Sequence, residues 1–130
     1  MENRLFSLLE ACLIRAAENN AARIFFADYM ILCEGLMDVI SLNQAGFDMA
    51  TATLGVRFTS NHANLLKKYT SKVFVCFDTD SVGNKGAESA TSIIVENGMK
   101  GLKIGLSPYK DPLDMITKGG ADAFRERLED

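Results

Sequence analysis

The sequence predicts an α/β domain: a four-stranded parallel sheet in the order 2-1-3-4, with helices on both faces. Three observations predict it. Short apolar runs alternate along the chain with stretches of helical period, the pattern of parallel strands joined by right-handed crossovers. Two of these runs, Tyr29-Met30-Ile31-Leu32-Cys33 and Lys72-Val73-Phe74-Val75-Cys76, lead directly into acidic stretches, Glu34-Gly35-Leu36-Met37-Asp38 and Phe77-Asp78-Thr79-Asp80. Ligands gather at the carboxyl ends of strands in open parallel sheets. The two acidic ends meet only if strands one and three are neighbours, which selects the order 2-1-3-4.

Residues 2–20 read as a helix. Leu5, Leu8, Leu9, Cys12, Leu13, Ala16 and Ala17 recur at three- and four-residue intervals, with Arg4, Glu10, Arg15 and Glu18 on the other face. The chain therefore divides into an N-terminal amphipathic helix, 1–22, and a domain, 23–130. That helix packs on the sheet or, as a second expectation, forms a homodimer contact. Tyr29–Cys33 is an apolar run suited to a strand covered on both faces. Gly35 allows a sharp exit, and Leu36–Ala45 follow as a helix ending at Gly46. Met49–Leu54 is a second strand closed by Gly55. Thr59 or Ser60 caps a helix through Tyr69, with Leu65 and Leu66 inward and Lys67 and Lys68 outward. Lys72–Phe77, the strongest β signal, is the third strand. The stretch Ser81-Val82-Gly83-Asn84-Lys85-Gly86 reads as a loop before a helix over Ala87–Glu96. Leu102–Leu106 is the fourth strand, and a short amphipathic helix around Ala123, Phe124 and Leu128 ends the chain.

With 130 residues the chain has room for one domain, and 48% hydrophobic with 24% charged residues excludes a disordered chain. It has no apolar run of membrane-spanning length and no signal peptide, so a cytoplasmic protein without membrane contact is expected. Cys12, Cys33 and Cys76 are scattered and form no Cys-x-x-Cys, which excludes a zinc ribbon and leaves buried, reduced thiols. The net charge of −3 is wrong for a free-standing nucleic-acid binder, so cations or a partner must supply positive charge. His62, the only histidine, falls on a polar helix face and reads as a surface residue rather than a general base.

Asp78 and Asp80, two apart on extended backbone, point the same way and repel unless a cation sits between them. Glu34 ends strand one. These three carboxylates at strand ends form a candidate site for a hard divalent cation. Asp38, in the first turn of the next helix, either supports that terminus or orients the ligands. Asp111, ahead of Pro112, reads equally as a further ligand or as a helix N-cap, and one carboxylate can do both. Lys85, with the glycines around it, could hold a phosphate, although the Walker spacing is absent.

In order and spacing these pieces resemble the Toprim domain, the topoisomerase–primase metal-binding module, as it occurs in bacterial DnaG-type primases. The pieces are Leu-Cys-Glu-Gly-Leu-Met-Asp-Val-Ile from Leu32, Ala-Gly-Phe from Ala45, Ala-Thr-Leu-Gly from Ala52, Val-Cys-Phe-Asp-Thr-Asp-Ser-Val-Gly-Asn-Lys-Gly-Ala from Val75, and Lys-Asp-Pro from Lys110. The resemblance implies that Glu34, Asp78 and Asp80 are catalytic and bind Mg²⁺ or Mn²⁺, with Asp38 and Asp111 in the same acidic cluster. It places Gly55 and Lys85 near the nucleotide. It implies RNA primer synthesis as a nucleotidyltransferase in DNA replication, with nucleoside triphosphates, a single-stranded DNA template and other replication proteins as partners. Three departures stand out. Leu113 occupies the second Asp position of the usual Asp-Pro-Asp, with Asp114 one residue late. Leu36 stands where primases usually carry Tyr, and Val56 where they usually carry a small polar residue. The zinc-ribbon, basic N-terminal and helicase-binding parts of a primase lie outside these residues, so priming by the chain alone is not expected. A metal-dependent Toprim nuclease and a non-catalytic interaction module remain as alternatives. Asp78-Thr79-Asp80-Ser81-Val82 also resembles the nucleophile motif of haloacid-dehalogenase-type phosphatases, but too little chain follows it for that fold.

Overall fold

The computed structural model describes residues 28–129; the helix expected over 1–22, Cys12 and the dimer contact lie outside them. The sheet holds β1 (Met30–Cys33), β2 (Ala50–Ala52), β3 (Lys72–Val75) and β4 (Lys100–Lys103) in the order β2-β1-β3-β4, all parallel. Ile31 pairs with Ala50 on one side and Phe74 on the other, and Phe74 with Leu102. The expected order is thus observed. β2 and β3 leave the ladder before their apolar runs end, and β1 starts one residue into its run. β4 lies two residues earlier than the expected Leu102–Leu106, because its register pairs Lys72 with Lys100 and Val75 with Lys103. β1 and β3 are central and almost wholly buried, which is why both read as unbroken apolar runs. β4 is an edge, and Lys100 and Lys103 stand exposed on it, a charge pattern that discourages pairing with another chain.

Alternation along the strands splits the core into two layers. Met30, Leu32, Val73 and Val75 face α2 (Ser60–Lys67) and α3 (Ser81–Glu96), meeting Ala63, Leu66, Ala87, Ala90 and Ile94. Ile31, Cys33, Phe74 and Cys76 face α1 (Leu36–Gln44) and α4 (Pro112–Glu129), meeting Val39, Leu42, Met115 and Phe124. Phe124 packs edge-on against Phe47 with ring centroids 5.0 Å apart. Helices therefore cover both faces. Cys33 and Cys76 are buried free thiols whose titration burial pushes well upward, as inert apolar residues should be.

Three expectations about the helices are corrected. His62 is not on the surface: it is 1% exposed and belongs to a capping box. Thr59 N–H donates to His62 Nδ1 at 2.9 Å, while His62 N–H reaches back to Thr59 Oγ1 at 3.5 Å. The imidazole does there what glutamate usually does. Residues 81–86 are also not a loop, because α3 begins at Ser81. Asp80 caps it, its Oδ1 accepting from Gly83 N–H at 2.6 Å, and Asn84 N–H donates to Asp80 carbonyl at 2.9 Å. Gly83 is required by a close approach: a Cβ there would collide with the Asp78 carbonyl. α4 likewise begins earlier than expected, at Pro112, and is interrupted at Gly120 (φ +86°).

Candidate metal centre at the carboxyl edge

Each acidic side chain is set by the element it terminates. Glu34 leaves the end of β1, and its Oε1 accepts from the N–H of Asp78 at 2.7 Å, linking the ends of the two central strands. Asp38, in the first turn of α1, is 7% exposed, and its Oδ1 accepts from Leu113 N–H at 3.1 Å, tying α1 to α4. Asp111 caps α4: its Oδ1 accepts from Asp114 N–H at 2.7 Å, and its carbonyl from Met115 N–H. The loop that carries Asp111 is held against the end of β3 by Thr79, whose N–H and hydroxyl both donate to the Lys110 carbonyl, at 2.8 and 3.2 Å.

The consequence is concentrated in Asp78. Its carboxylate alone among the five has no hydrogen bond or ion pair among the described residues. Burial, and then the negative charges of Glu34, Asp38, Asp111 and Asp80, raise its pKa from 3.8 to about 6. Asp38 is also raised, by burial first and by Asp111 and Glu34 further down, against the lowering pull of the Leu113 N–H. The sequence-derived set, Glu34, Asp38, Asp78, Asp80 and Asp111, thus gathers at one edge. Four of the five carboxylates are turned onto backbone N–H groups, and among the described residues no three His, Cys, Asp or Glu side chains form a ready-made metal site in this conformation. The donor set fits a hard cation such as Mg²⁺ or Mn²⁺ in kind: all oxygen, all anionic, with one unpartnered carboxylate at the focus.

Asp114 stands apart from this set. Its Oδ2 accepts from Lys110 N–H at 3.0 Å, its Oδ1 lies 3.0 Å from Lys118 Nζ, and these contacts hold its carboxyl below the usual range.

Gly55 and Lys85 line a cavity of about 420 Å³ next to Glu34, with Phe58 and Phe77 among its apolar walls. The phosphate-binding loop expected around Lys85 is not formed as such, since Gly83 and Asn84 N–H groups are taken by Asp80. Arg57 lines the same cavity. Sequence reasoning missed it, and the available signal was its place just beyond β2, at the ligand-bearing edge of the sheet. Among the described residues no helix is long and apolar enough to cross a membrane.

A family profile described as Toprim-like matches residues 31–116, well over half of the chain. The chain is 41% identical over 96 residues to the DNA primase of Listeria innocua, covering 73% of this chain and 15% of that protein. It is 35% identical over 101 residues to the DNA primase of Campylobacter jejuni, covering 78% and 17%. It thus spans less than a fifth of the length of these relatives. Among solved structures, a DNA primase domain from Pseudomonas aeruginosa superposes with a TM-score of 0.80 at 32% identity, over 91% of this chain and 36% of that one. The zinc-binding and RNA polymerase domains of Aquifex aeolicus primase superpose at 0.79 with 30% identity, over 91% and 28%. A DnaG primase catalytic domain bound to single-stranded DNA superposes at 0.75 with 32% identity, over 88% and 36%.

Proposed function

The chain belongs to the Toprim-like family, and from that premise we propose that it is the divalent-metal module of a DnaG-type primase. Glu34, Asp78 and Asp80 are its catalytic carboxylates, and with Asp38 and Asp111 they hold two Mg²⁺ or Mn²⁺ ions. The observation that carries this reading is Asp78, an unpartnered carboxylate facing four others. Such a group is repelled in the absence of a cation and stabilised by one.

A bound divalent ion neutralises triphosphate charge and stabilises the charge that develops as a 3′ hydroxyl attacks the α-phosphate. The chain's own part is to bind and orient. Glu34 holds the end of β3 in place through the Asp78 N–H, leaving its second oxygen for a ligand. Asp80 fixes the start of α3, and Asp38 fixes the start of α4 against α1. Nucleoside triphosphates and a single-stranded template are the partners of this reading, which the DNA-bound structural relative supports. With a net charge of −3, the template must be gripped mainly by other parts of a primase, and the chain alone does not prime in the cytoplasm.

Calorimetric titration of Mn²⁺ into the wild type and Glu34→Gln tests the proposal. Binding to the wild type, weakened at least tenfold in the variant, supports it; equal, negligible heat from both removes it. A second reading, a non-catalytic module that docks on another replication protein, is favoured by Leu36, Met37 and Ile40, which stand exposed on α1. That reading is left standing only by a silent titration.

A further inference from the structure

The cavity beside Glu34 joins three chemistries that the acidic edge alone does not explain. Its lining includes Glu34, the apolar Val56, Phe58, Phe77 and Val82, and two cations, Arg57 and Lys85. Both cations are exposed, and neither has an ion pair or hydrogen bond among the described residues. In a chain of net negative charge, two unpaired cations on different elements of one cavity call for an anion. The loop carrying Arg57 is also firmly set. Thr53 N–H donates to the Cys33 carbonyl, and Leu54 N–H to the Glu34 carbonyl, both at 3.0 Å, so the loop is registered on the candidate ligand itself. Leu54 (φ +58°) and Gly55 (φ +80°) then turn the chain through left-handed backbone, and Val56 N–H closes the turn on the Thr53 carbonyl. A leucine adopts that conformation only where its surroundings impose it.

We infer that Arg57 is a phosphate-positioning residue: together with Lys85 it holds the phosphate tail of a nucleoside triphosphate in the cavity beside Glu34. A guanidinium offers a planar fork of donors that matches phosphate oxygens, while Lys85 adds a point charge from α3. The cavity, about 420 Å³, has the size of a small-molecule site, and its apolar walls accommodate the nucleoside portion. This inference rests on the metal reading of the acidic edge, which would bring cations to the other side of the same phosphates.

The test is ATP binding by calorimetry, at low and raised salt, to the wild type, Arg57→Ala, Arg57→Lys and the Arg57→Ala/Lys85→Ala double variant. The expected result is affinity about tenfold weaker in Arg57→Ala, partial recovery in Arg57→Lys, and a shallower salt dependence in the double variant. Inorganic tripolyphosphate binds more weakly than ATP if the apolar walls take part as stated. Arg57→Ala that melts like the wild type and binds ATP equally well overturns the inference, as does a wild type that binds no ATP. So does an Arg57 dependence seen with a thymidine oligonucleotide and not with ATP. Mn²⁺ titrated alone into the wild type judges the metal reading separately, so the failure of one is distinguishable from the failure of the other.

Discussion

The carboxylate of Glu34 accepts the backbone N–H of Asp78 across 2.7 Å, joining the carboxyl ends of β1 and β3 between residues 44 apart in sequence. The bond brings a negative charge to the base of the loop that bears Asp78 and Asp80. It is at once a structural tie and a source of electrostatic strain, and the two can be separated by substitution.

Replacing Glu34 by Gln keeps an oxygen acceptor for the Asp78 N–H and removes a charge that Asp78 feels. Replacing it by Ala removes both. In metal-free buffer Glu34→Gln should be at least as stable as the wild type, and Glu34→Ala less stable than Glu34→Gln by about 1 kcal/mol, the usual net worth of one such bond. Urea unfolding in chelator gives both values. Equal stability of the two variants would mean that the hydrogen bond contributes nothing.

Asp78 predicts a pH dependence with a definite sign. Its folded-state pKa lies near 6 and its ordinary value is 3.8, so the folded protein holds this proton more tightly than the unfolded chain does. The resulting stabilisation is fully present below pH 3.8 and is lost as pH rises through about 6. Asp38, raised by burial, acts in the same direction. Without metal, Asp78→Asn should therefore gain melting temperature relative to the wild type as pH rises from 4 to 7, while it loses the Mn²⁺ affinity proposed above. Asp78 is half-exposed, so solvent screens the effect and the observable is the slope of the difference. A difference that does not change with pH would refute the assignment.

Gly83 and Gly86 should respond oppositely to alanine. A Cβ on Gly83 would run into the Asp78 carbonyl, forcing the acidic loop and α3 apart, whereas a Cβ on Gly86 would rest 3.4 Å from the Phe77 ring. Gly83→Ala should destabilise by about 3 kcal/mol. Gly86→Ala, which gains helix propensity, should be neutral or stabilise by up to about 1 kcal/mol. Thermal or urea unfolding of the two variants checks this contrast, and similar losses at both positions would count against the close approach.

Unbroken apolar runs leading into acidic stretches made β1 and β3 legible, because a strand buried on both faces leaves few residue types to choose from. Requiring the carboxylates to meet then yielded the sheet order. Residues 81–86 were misread for a local reason. Glycines in a polar stretch signal a loop, yet here Gly83 serves a helix whose first turn passes against a carbonyl five residues earlier. His62 was misread because its periodicity places it among polar residues, and only the capping box shows what its ring is bonded to. The position of Arg57 carried a signal, but nothing along the chain indicates that it shares a cavity with Lys85.

Spacing along the chain determined the strands and the acidic residues that end the two central ones, since side-chain period and strand ends are local properties. Tertiary structure decided what those residues do. It chose the backbone N–H that each of Glu34, Asp38, Asp80 and Asp111 accepts, left Asp78 without a partner, and buried Asp38 against a helix 75 residues away. The physical reason is that charge and hydrogen bonding act through space. A carboxylate's environment is set by which segments the packed sheet brings beside it, and a local pattern does not contain that information.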